Sequence, residues 1–158
     1  MGGGTPTVAG MEVRFAKGAK GRTCGWVALR PPRTKVPGPT MAAGGDVPHD
    51  LATFVVEQAL GIERGFWGCV AEGATFRSLG CKRTQPGRAV ISRHKDELDR
   101  AEALVNDVYF AWRRGEPTAA DAALDEALAR WRALGEGEEL VLEWEHDRRR
   151  GAAGRRRR

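Results

Sequence analysis

The sequence predicts an α+β fold, in which a small antiparallel sheet (an N-terminal hairpin plus a C-terminal strand) carries about four helices on one face. Three observations predict it. Apolar and polar residues alternate over residues 11–16, as in a strand with one buried face, and a second short stretch over residues 23–29 has Trp26 and Val27 as its bulk. The same alternation returns after Gly137. Between these strands, four segments repeat apolar residues at the spacing of amphipathic helices.

The predicted hairpin starts at Met11, where the alternation begins. Residues 17–21 contain two glycines and predict a turn, and residues 23–29 predict the second strand. Residues 31–48 hold five prolines, and this density predicts a loop without regular structure. Together with the C-terminal strand, these segments predict a single domain over residues 11–147.

The first two predicted helices follow that loop. One begins near Pro48, because proline suits a first helical turn, and ends at Gly61, because glycine permits a left-handed C-terminal conformation. A short apolar segment over residues 66–74 is bracketed by glycines and predicts a short helix. Residues 80–87, which include Pro86, are then predicted to form a loop.

The last two predicted helices have the clearest apolar stripes. The third is predicted to start with Ser92 as its N-cap and to stop at Gly115. The fourth opens with Thr118 and Asp121, a variant of the capping box, and Gly135 occupies the position expected of a C-cap glycine. The two stripes place two tryptophans in the core, Trp112 and Trp131.

The net charge of +5 comes from one end of the chain. Residues 148–158 contain seven arginines and no acidic residue, whereas residues 1–147 hold 19 basic and 21 acidic residues. A basic groove for nucleic acid therefore has no support in the predicted domain. The tail is predicted to be disordered and to bind polyanions weakly, without sequence preference. Its predicted nucleic-acid-binding residues are Arg148, Arg149, Arg150, Arg155, Arg156, Arg157 and Arg158.

The sequence also predicts a location. No apolar run approaches the roughly 20 residues that span a bilayer. Residues 1–10, predicted to be disordered, lack the basic start and apolar centre of a secretory signal. We therefore expect a cytoplasmic protein that does not contact a membrane. The three cysteines form no C-x-x-C pair, so no disulfide framework is predicted, and Cys24 and Cys69 are expected to be small buried residues.

One face of the first predicted helix concentrates the residues that could carry chemistry. His49, Thr53 and Glu57 lie four residues apart, so their side chains are neighbours. His49 and Glu57, together with the neighbouring Asp50, define a candidate metal face. Thr53 occupies the position between them at which the spacing would place a further ligand. The alternative is structural. Asp50 would then stabilise the helix N-terminus, and Glu57 would be a solvated surface residue.

This block also carries a resemblance. The sequence Pro-His-Asp-Leu-x-x-Phe-Val-Val-Glu over residues 48–57, followed by Gly-Phe-Trp-Gly-x-Val-Ala-Glu-Gly over residues 65–73, resembles the signature of a family of small uncharacterised bacterial proteins from GC-rich genomes. The resemblance is close over residues 47–73. A second histidine often occupies the position of Thr53 in that family, and this chain departs from the pattern there. The resemblance implies a bacterial origin and a compact fold, without an activity.

Other catalytic signatures are missing from the sequence. It contains no phosphate-binding loop, no dinucleotide fingerprint, no zinc-protease helix motif and no serine nucleophile elbow. The sequence therefore predicts a binding or regulatory protein rather than an enzyme, and no cofactor is expected. Two alternatives stay open: a metal-dependent enzyme that uses His49, Asp50 and Glu57, and non-specific nucleic-acid association through the arginine-rich tail.

Overall fold

A computed structural model describes residues 10–43 and 46–145 of the chain. The predicted N-terminal disorder, apart from Gly10, and the arginine-rich tail with its predicted nucleic-acid contacts lie outside the described residues. The sheet contains five strands: β1 (Met11–Lys17), β2 (Thr23–Arg30), β3 (Thr34–Pro37), β4 (Met41–Ala42) and β5 (Glu139–Trp144).

The predicted hairpin and its C-terminal partner strand form the centre of the sheet. The strand order is β3-β2-β1-β5, with β4 also paired to β2, and every pairing is antiparallel. Phe15 lies opposite Trp26 on one side and Leu140 on the other. All three side chains are buried, whereas Val141, on the opposite face of β5, is 44% exposed. The α+β prediction is thus confirmed.

The prediction of a loop over residues 31–48 is wrong in part, because β3 and β4 lie within it. Val36 pairs with Ala28 of β2, and Pro37 is the last residue of its strand. β3 is at the edge of the sheet. Proline is tolerated on an edge strand, since the missing N–H is not needed for a second ladder.

The described residues form five α-helices. They are α1 (His49–Ala59), α2 (Phe66–Glu72), α3 (Gln85–Arg93), α4 (Lys95–Arg113) and α5 (Asp121–Ala133). The helix α1 packs against α2, α4 and α5, and it therefore occupies the middle of the helical layer. Within the described residues, no helix is both long and apolar enough to cross a membrane.

The predicted third helix corresponds to α4, which begins at Lys95 rather than directly after Ser92, and a further helix, α3, precedes it where no helix was predicted. Thr84 caps α3, since its hydroxyl accepts a hydrogen bond from the Gly87 N–H at 3.0 Å. Ser92, the predicted N-cap, lies inside α3, and the chain bends at His94 before α4 begins. The prediction of a loop at Pro86 is also wrong, because this residue lies in the first turn of α3, where proline costs no helical hydrogen bond.

The predicted helix ends are mostly confirmed. Gly61 and Gly115 adopt positive φ angles of 66° and 76° directly after the C-caps of α1 and α4. The Asp121 carboxylate accepts the Thr118 N–H at 3.0 Å, as in a capping box. Gly135 is not a left-handed C-cap, because α5 ends at Ala133 through an extended residue.

An aromatic cluster fills the space between α1, α2 and the sheet. Trp67 is fully buried, and its ring centroid lies 4.6 Å from that of Trp26 and 5.3 Å from that of Phe54. Trp131 is 1% exposed, as predicted, whereas Trp112 is half-buried. The conspicuous Gly-Phe-Trp-Gly segment thus supplies core packing beside the candidate site.

Candidate functional site

Glu57 is a buried carboxylate that caps a neighbouring helix. It lies in the last turn of α1 and is 1% exposed. Its Oε2 accepts the Phe66 N–H at 3.0 Å, and its Oε1 accepts the Trp67 N–H at 3.0 Å. These are the first N–H groups of α2, which have no acceptor within their own helix. The interpretation of Glu57 as a solvated surface residue is therefore wrong.

Two glycines of the Gly-Phe-Trp-Gly segment permit this arrangement. A Cβ on Gly65 would overlap the Glu57 carboxylate, and a Cβ on Gly68 would overlap the main-chain carbonyl of Glu63. Both positions therefore need glycine for close approach rather than for flexibility. No spacing in the sequence identifies Glu57 as the partner of these N–H groups, because the contact depends on how α1 and α2 pack.

Burial controls the protonation of Glu57. Removal from water raises the pKa of its carboxyl from 4.5 to about 7, although the Trp67 and Phe66 N–H groups lower it. Burial prevails because two neutral hydrogen bonds replace only part of the lost hydration. The carboxyl of Glu57 therefore holds its proton to a higher pH than an exposed glutamate does.

Asp50 fixes the start of α1 through two indoles. The Trp26 Nε1–H donates to Asp50 Oδ2 at 2.8 Å, and the Trp67 Nε1–H donates to the main-chain oxygen of Asp50 at 3.2 Å. These bonds join α1 to β2 and to α2. The expected structural role at the helix N-terminus is therefore accompanied by a tertiary one that depends on distant residues.

His49 and Thr53 complete the face of α1. The His49 side chain is 57% exposed, and its Nδ1 lies 3.3 Å from Asp50 Oδ1. Its hydrogen bond to Asp50 raises the pKa of the imidazole, burial opposes this, and the charges of Asp50 and Glu102 raise it further. The Thr53 hydroxyl donates to the His49 carbonyl at 3.0 Å, which satisfies it locally.

The structure does not assemble the predicted metal face. Among the residues that it describes, no group of three or more His, Cys, Asp or Glu side chains could hold a metal ion. Glu57 lies more than two helical turns from His49, and both of its oxygens accept N–H groups of α2. Asp50 is held by Trp26. His49, Asp50 and Glu57 therefore do not converge on a common point.

The same face of α1 instead lines a cavity. The cavity has a volume of about 440 Å³ and lies between α1, α2, α3, α4 and the segment after α2. This volume falls within the range of small-molecule sites. Its apolar lining comes from Phe66, Phe76, Ile91, Leu98 and Val105. Its ionisable lining comes from His49, Asp50, Glu57, Lys95, Asp99 and Glu102.

Sequence reasoning missed the α3 and α4 contributions to this cavity. Leu98 and Val105 belong to an apolar stripe that predicts core packing, and Ile91 precedes the predicted helix start. The break at His94 separates Ile91 from Leu98. No local pattern in the sequence distinguishes an apolar residue that fills the core from one that lines a cavity.

A charged cluster fixes the α3–α4 junction against α2. Glu72, at the end of α2, forms an ion pair with Arg64 and a hydrogen bond with His94, whose Nε2 lies 2.9 Å from Glu72 Oε2. The His94 Nδ1 lies 3.6 Å from a carboxylate oxygen of Glu97. These contacts hold the two helices that form one wall of the cavity.

The cysteines are free, in agreement with the absence of a predicted disulfide framework. Cys24 and Cys69 are buried, as expected, and burial raises the pKa of each thiol to about 12. A thiol with such a pKa is protonated at neutral pH and is a poor nucleophile. Neither cysteine belongs to the cavity lining.

Comparison with family models, curated proteins and solved structures gave no match for this chain. The resemblance to small bacterial proteins therefore stays a prediction.

Proposed function

We propose that this protein binds a small, largely apolar molecule in the cavity beside α1, as a binding or regulatory protein rather than an enzyme. The observation that carries the proposal is the cavity itself, about 440 Å³ with five apolar side chains in its lining. Apolar walls with a few placed polar groups are the usual composition of a small-molecule site. Apolar area gives such a ligand its affinity, and the polar groups orient it.

The hydrogen bonds around the cavity support this proposal. Glu57 ties α1 to α2, and Asp50 receives indole N–H groups from β2 and α2. Walls fixed in this way lose little conformational entropy when a ligand enters. The proposal accounts for the His-Asp-x-x-Thr-x-x-x-Glu face of α1 as one wall of a binding site.

Two further proposals rest on the sequence alone. One is a cytoplasmic location. Residues 148–158 favour weak association with polyanions, independent of the cavity.

A neutral apolar dye tests the cavity. We expect N-phenyl-1-naphthylamine, excited beyond tryptophan absorption, to bind the protein saturably, with increased fluorescence. Leu98→Trp fills the cavity from the α4 wall and is expected to weaken binding about ten-fold or more, a loss of roughly 1.4 kcal/mol.

The matched control is Leu104→Trp, on the same helix. Leu104 is 45% exposed and is not part of the cavity lining, so this variant is expected to bind the dye as the parent protein does. Unchanged affinity in Leu98→Trp, or no saturable binding to the parent protein, would contradict the proposed function.

A further inference from the structure

We infer that the molecule bound in this cavity carries a positive charge, as a protonated amine or quaternary ammonium group on an apolar body. The inference rests on the proposed function and adds to it the chemical class of the ligand. It follows from which charged side chains line the cavity and from how they are paired.

Acidic groups outnumber basic ones in the cavity lining. Asp50, Glu57, Asp99 and Glu102 contribute carboxylates, and Lys95 and His49 are the basic residues. Within the described part of the chain, no arginine lines this cavity, although arginine is abundant in the sequence. Anionic ligands are commonly held by arginine or by several lysines. A phosphate or carboxylate would therefore meet mainly repulsion here.

The pairing of these groups leaves two carboxylates available. The Lys95 Nζ lies 3.0 Å from Asp99 Oδ2, and His49 lies beside Asp50. Among the ion pairs of the described residues, none involves Glu57 or Glu102. These two residues belong to different helices, α1 and α4, that both line the cavity.

Glu57 gives this negative charge a buried component. Ionising a buried carboxyl group is costly when its partners are neutral hydrogen-bond donors and no cation is near, because burial denies the charge most of its hydration. A bound ammonium group would supply the missing countercharge without disturbing the N–H groups of α2. Coulombic attraction is also stronger in a partly enclosed cavity than in open solvent.

The aromatic lining suits the same ligand class. Phe66 and Phe76 lie with their ring centroids 4.8 Å apart and an interplanar angle of 33°. Both rings contribute to the cavity wall. The negative face of an aromatic ring attracts an ammonium group and also packs against an apolar body. Charge and shape therefore favour an amphipathic cation over a neutral apolar molecule.

Three probes of similar size test the charge preference. 2-Phenylethylammonium, 2-phenylethanol and 3-phenylpropanoate present positive, neutral and negative ends on the same aromatic body. Titration calorimetry at low ionic strength is expected to give the ammonium about ten-fold tighter binding than the alcohol, with the carboxylate weakest. Leu98→Trp should weaken binding of the ammonium, which would locate it in the cavity.

Glu102→Gln tests the source of the preference without risk to the fold, since Glu102 is exposed. We expect it to weaken ammonium binding about three-fold and to leave alcohol binding unchanged. Glu126→Gln is the matched control, because Glu126 is an exposed acid on α5 outside this cavity. Glu57→Gln should have the larger effect, and thermal unfolding of that variant will show whether it remains folded.

The outcomes separate the two proposals. If the ammonium and the alcohol bind equally, or if the carboxylate binds most tightly, the charge inference is wrong, while dye binding sensitive to Leu98→Trp still supports the cavity function. Dye binding without ammonium binding would likewise contradict the charge inference alone. If neither the dye nor any probe binds, the proposed function itself fails. Ammonium binding that is insensitive to Glu102→Gln and to Glu57→Gln would also overturn the inference.

Discussion

Glu57 joins two roles in one side chain. Both of its oxygens accept N–H groups at the start of α2, and the same residue lines the cavity. Structural capping explains why a carboxylate is kept inside the protein, and its burial explains the raised pKa. A single residue therefore couples the position of α2, the charge of the cavity and the pH of the solution.

This coupling predicts a pH-dependent stability. The folded pKa of Glu57, about 7, lies above its ordinary value of 4.5. The folded state therefore holds the proton more tightly, and stability should fall as pH rises between these values. The full difference between these two pKa values corresponds to a loss of roughly 3 kcal/mol in the free energy of unfolding. Urea unfolding followed by tryptophan fluorescence at pH 4.5 and pH 8 measures the loss.

A comparison of variants isolates the contribution of Glu57. Other ionisable groups also contribute to the stability in this pH range, so the informative quantity is the difference in pH dependence between variants. Glu57→Gln should flatten the fall in stability between the two pH values, and Glu126→Gln should retain it. An identical pH dependence in Glu57→Gln and in the parent protein would show that Glu57 titrates normally.

At the level of single residues, the sequence predicted neighbours better than roles. The four-residue spacing correctly placed His49, Thr53 and Glu57 on one face, because that relation depends on helix geometry alone. The partners of Glu57 lie in another helix, and the indole partners of Asp50 lie in β2 and α2. Such long-range hydrogen bonds leave no periodic signal in the chain.

Among the elements, α2 shows how tertiary contacts hold a short helix. It has seven residues, one of them glycine within the helix, so its intrinsic stability is low. Glu57 satisfies its first N–H groups, and the Arg30 guanidinium donates to the Val70 carbonyl at 3.1 Å. Glu72 connects its last turn to His94. Contacts from several surrounding elements therefore position one wall of the cavity.

The helix α5 packs against α1 and contributes the buried Trp131 to the core. This side chain is 1% exposed, and the Lys17 Nζ lies 5.0 Å from the centroid of its ring. Trp131→Ala should lower the free energy of unfolding by roughly 3–5 kcal/mol. Trp112→Ala is the matched comparison and should cost less, because Trp112 is half-buried. Urea denaturation measures the loss of unfolding free energy in both variants, and equal losses would contradict the assigned packing.

Element prediction succeeded where one face of a segment is buried and failed where proline had two possible meanings. Alternation of apolar and polar residues revealed β1 and β5, because each of these strands has a single buried face. Prolines obscured β3 and α3, in which Pro37 ends an edge strand and Pro86 lies in a first helical turn. Proline reports a local backbone angle, and its neighbours decide whether an element ends or begins there.

On the scale of the whole molecule, the cavity is a property of several elements at once. Its lining comes from four helices and the segment after α2, and its existence depends on the bend at His94 and on the position of α2. The α+β fold and one wall could be predicted from the sequence. The remaining walls could not, because interhelical packing decides whether apolar side chains meet or leave a space between them.

The charge distribution predicts a second, independent binding behaviour. Seven arginines in residues 148–158 follow a chain with 19 basic and 21 acidic residues. Counterion release then predicts weak binding to nucleic acid that falls steeply with salt. A plot of the logarithm of the binding constant against the logarithm of the salt concentration should have a slope no steeper than about −6. Fluorescence anisotropy on two unrelated DNA duplexes, over a range of salt concentrations, measures both the slope and any sequence preference.

A variant with all seven tail arginines replaced by glutamine keeps the chain length and should lose this binding on both duplexes. The same variant should bind the apolar dye like the parent protein, because the cavity lining is formed by residues 49–106. Nucleic-acid binding that persists in the glutamine variant, or that distinguishes the two duplexes, would place a recognition surface elsewhere in the chain. Loss of dye binding in that variant would instead show that the tail and the cavity are coupled, so that the charge of one end of the chain controls the site at its centre.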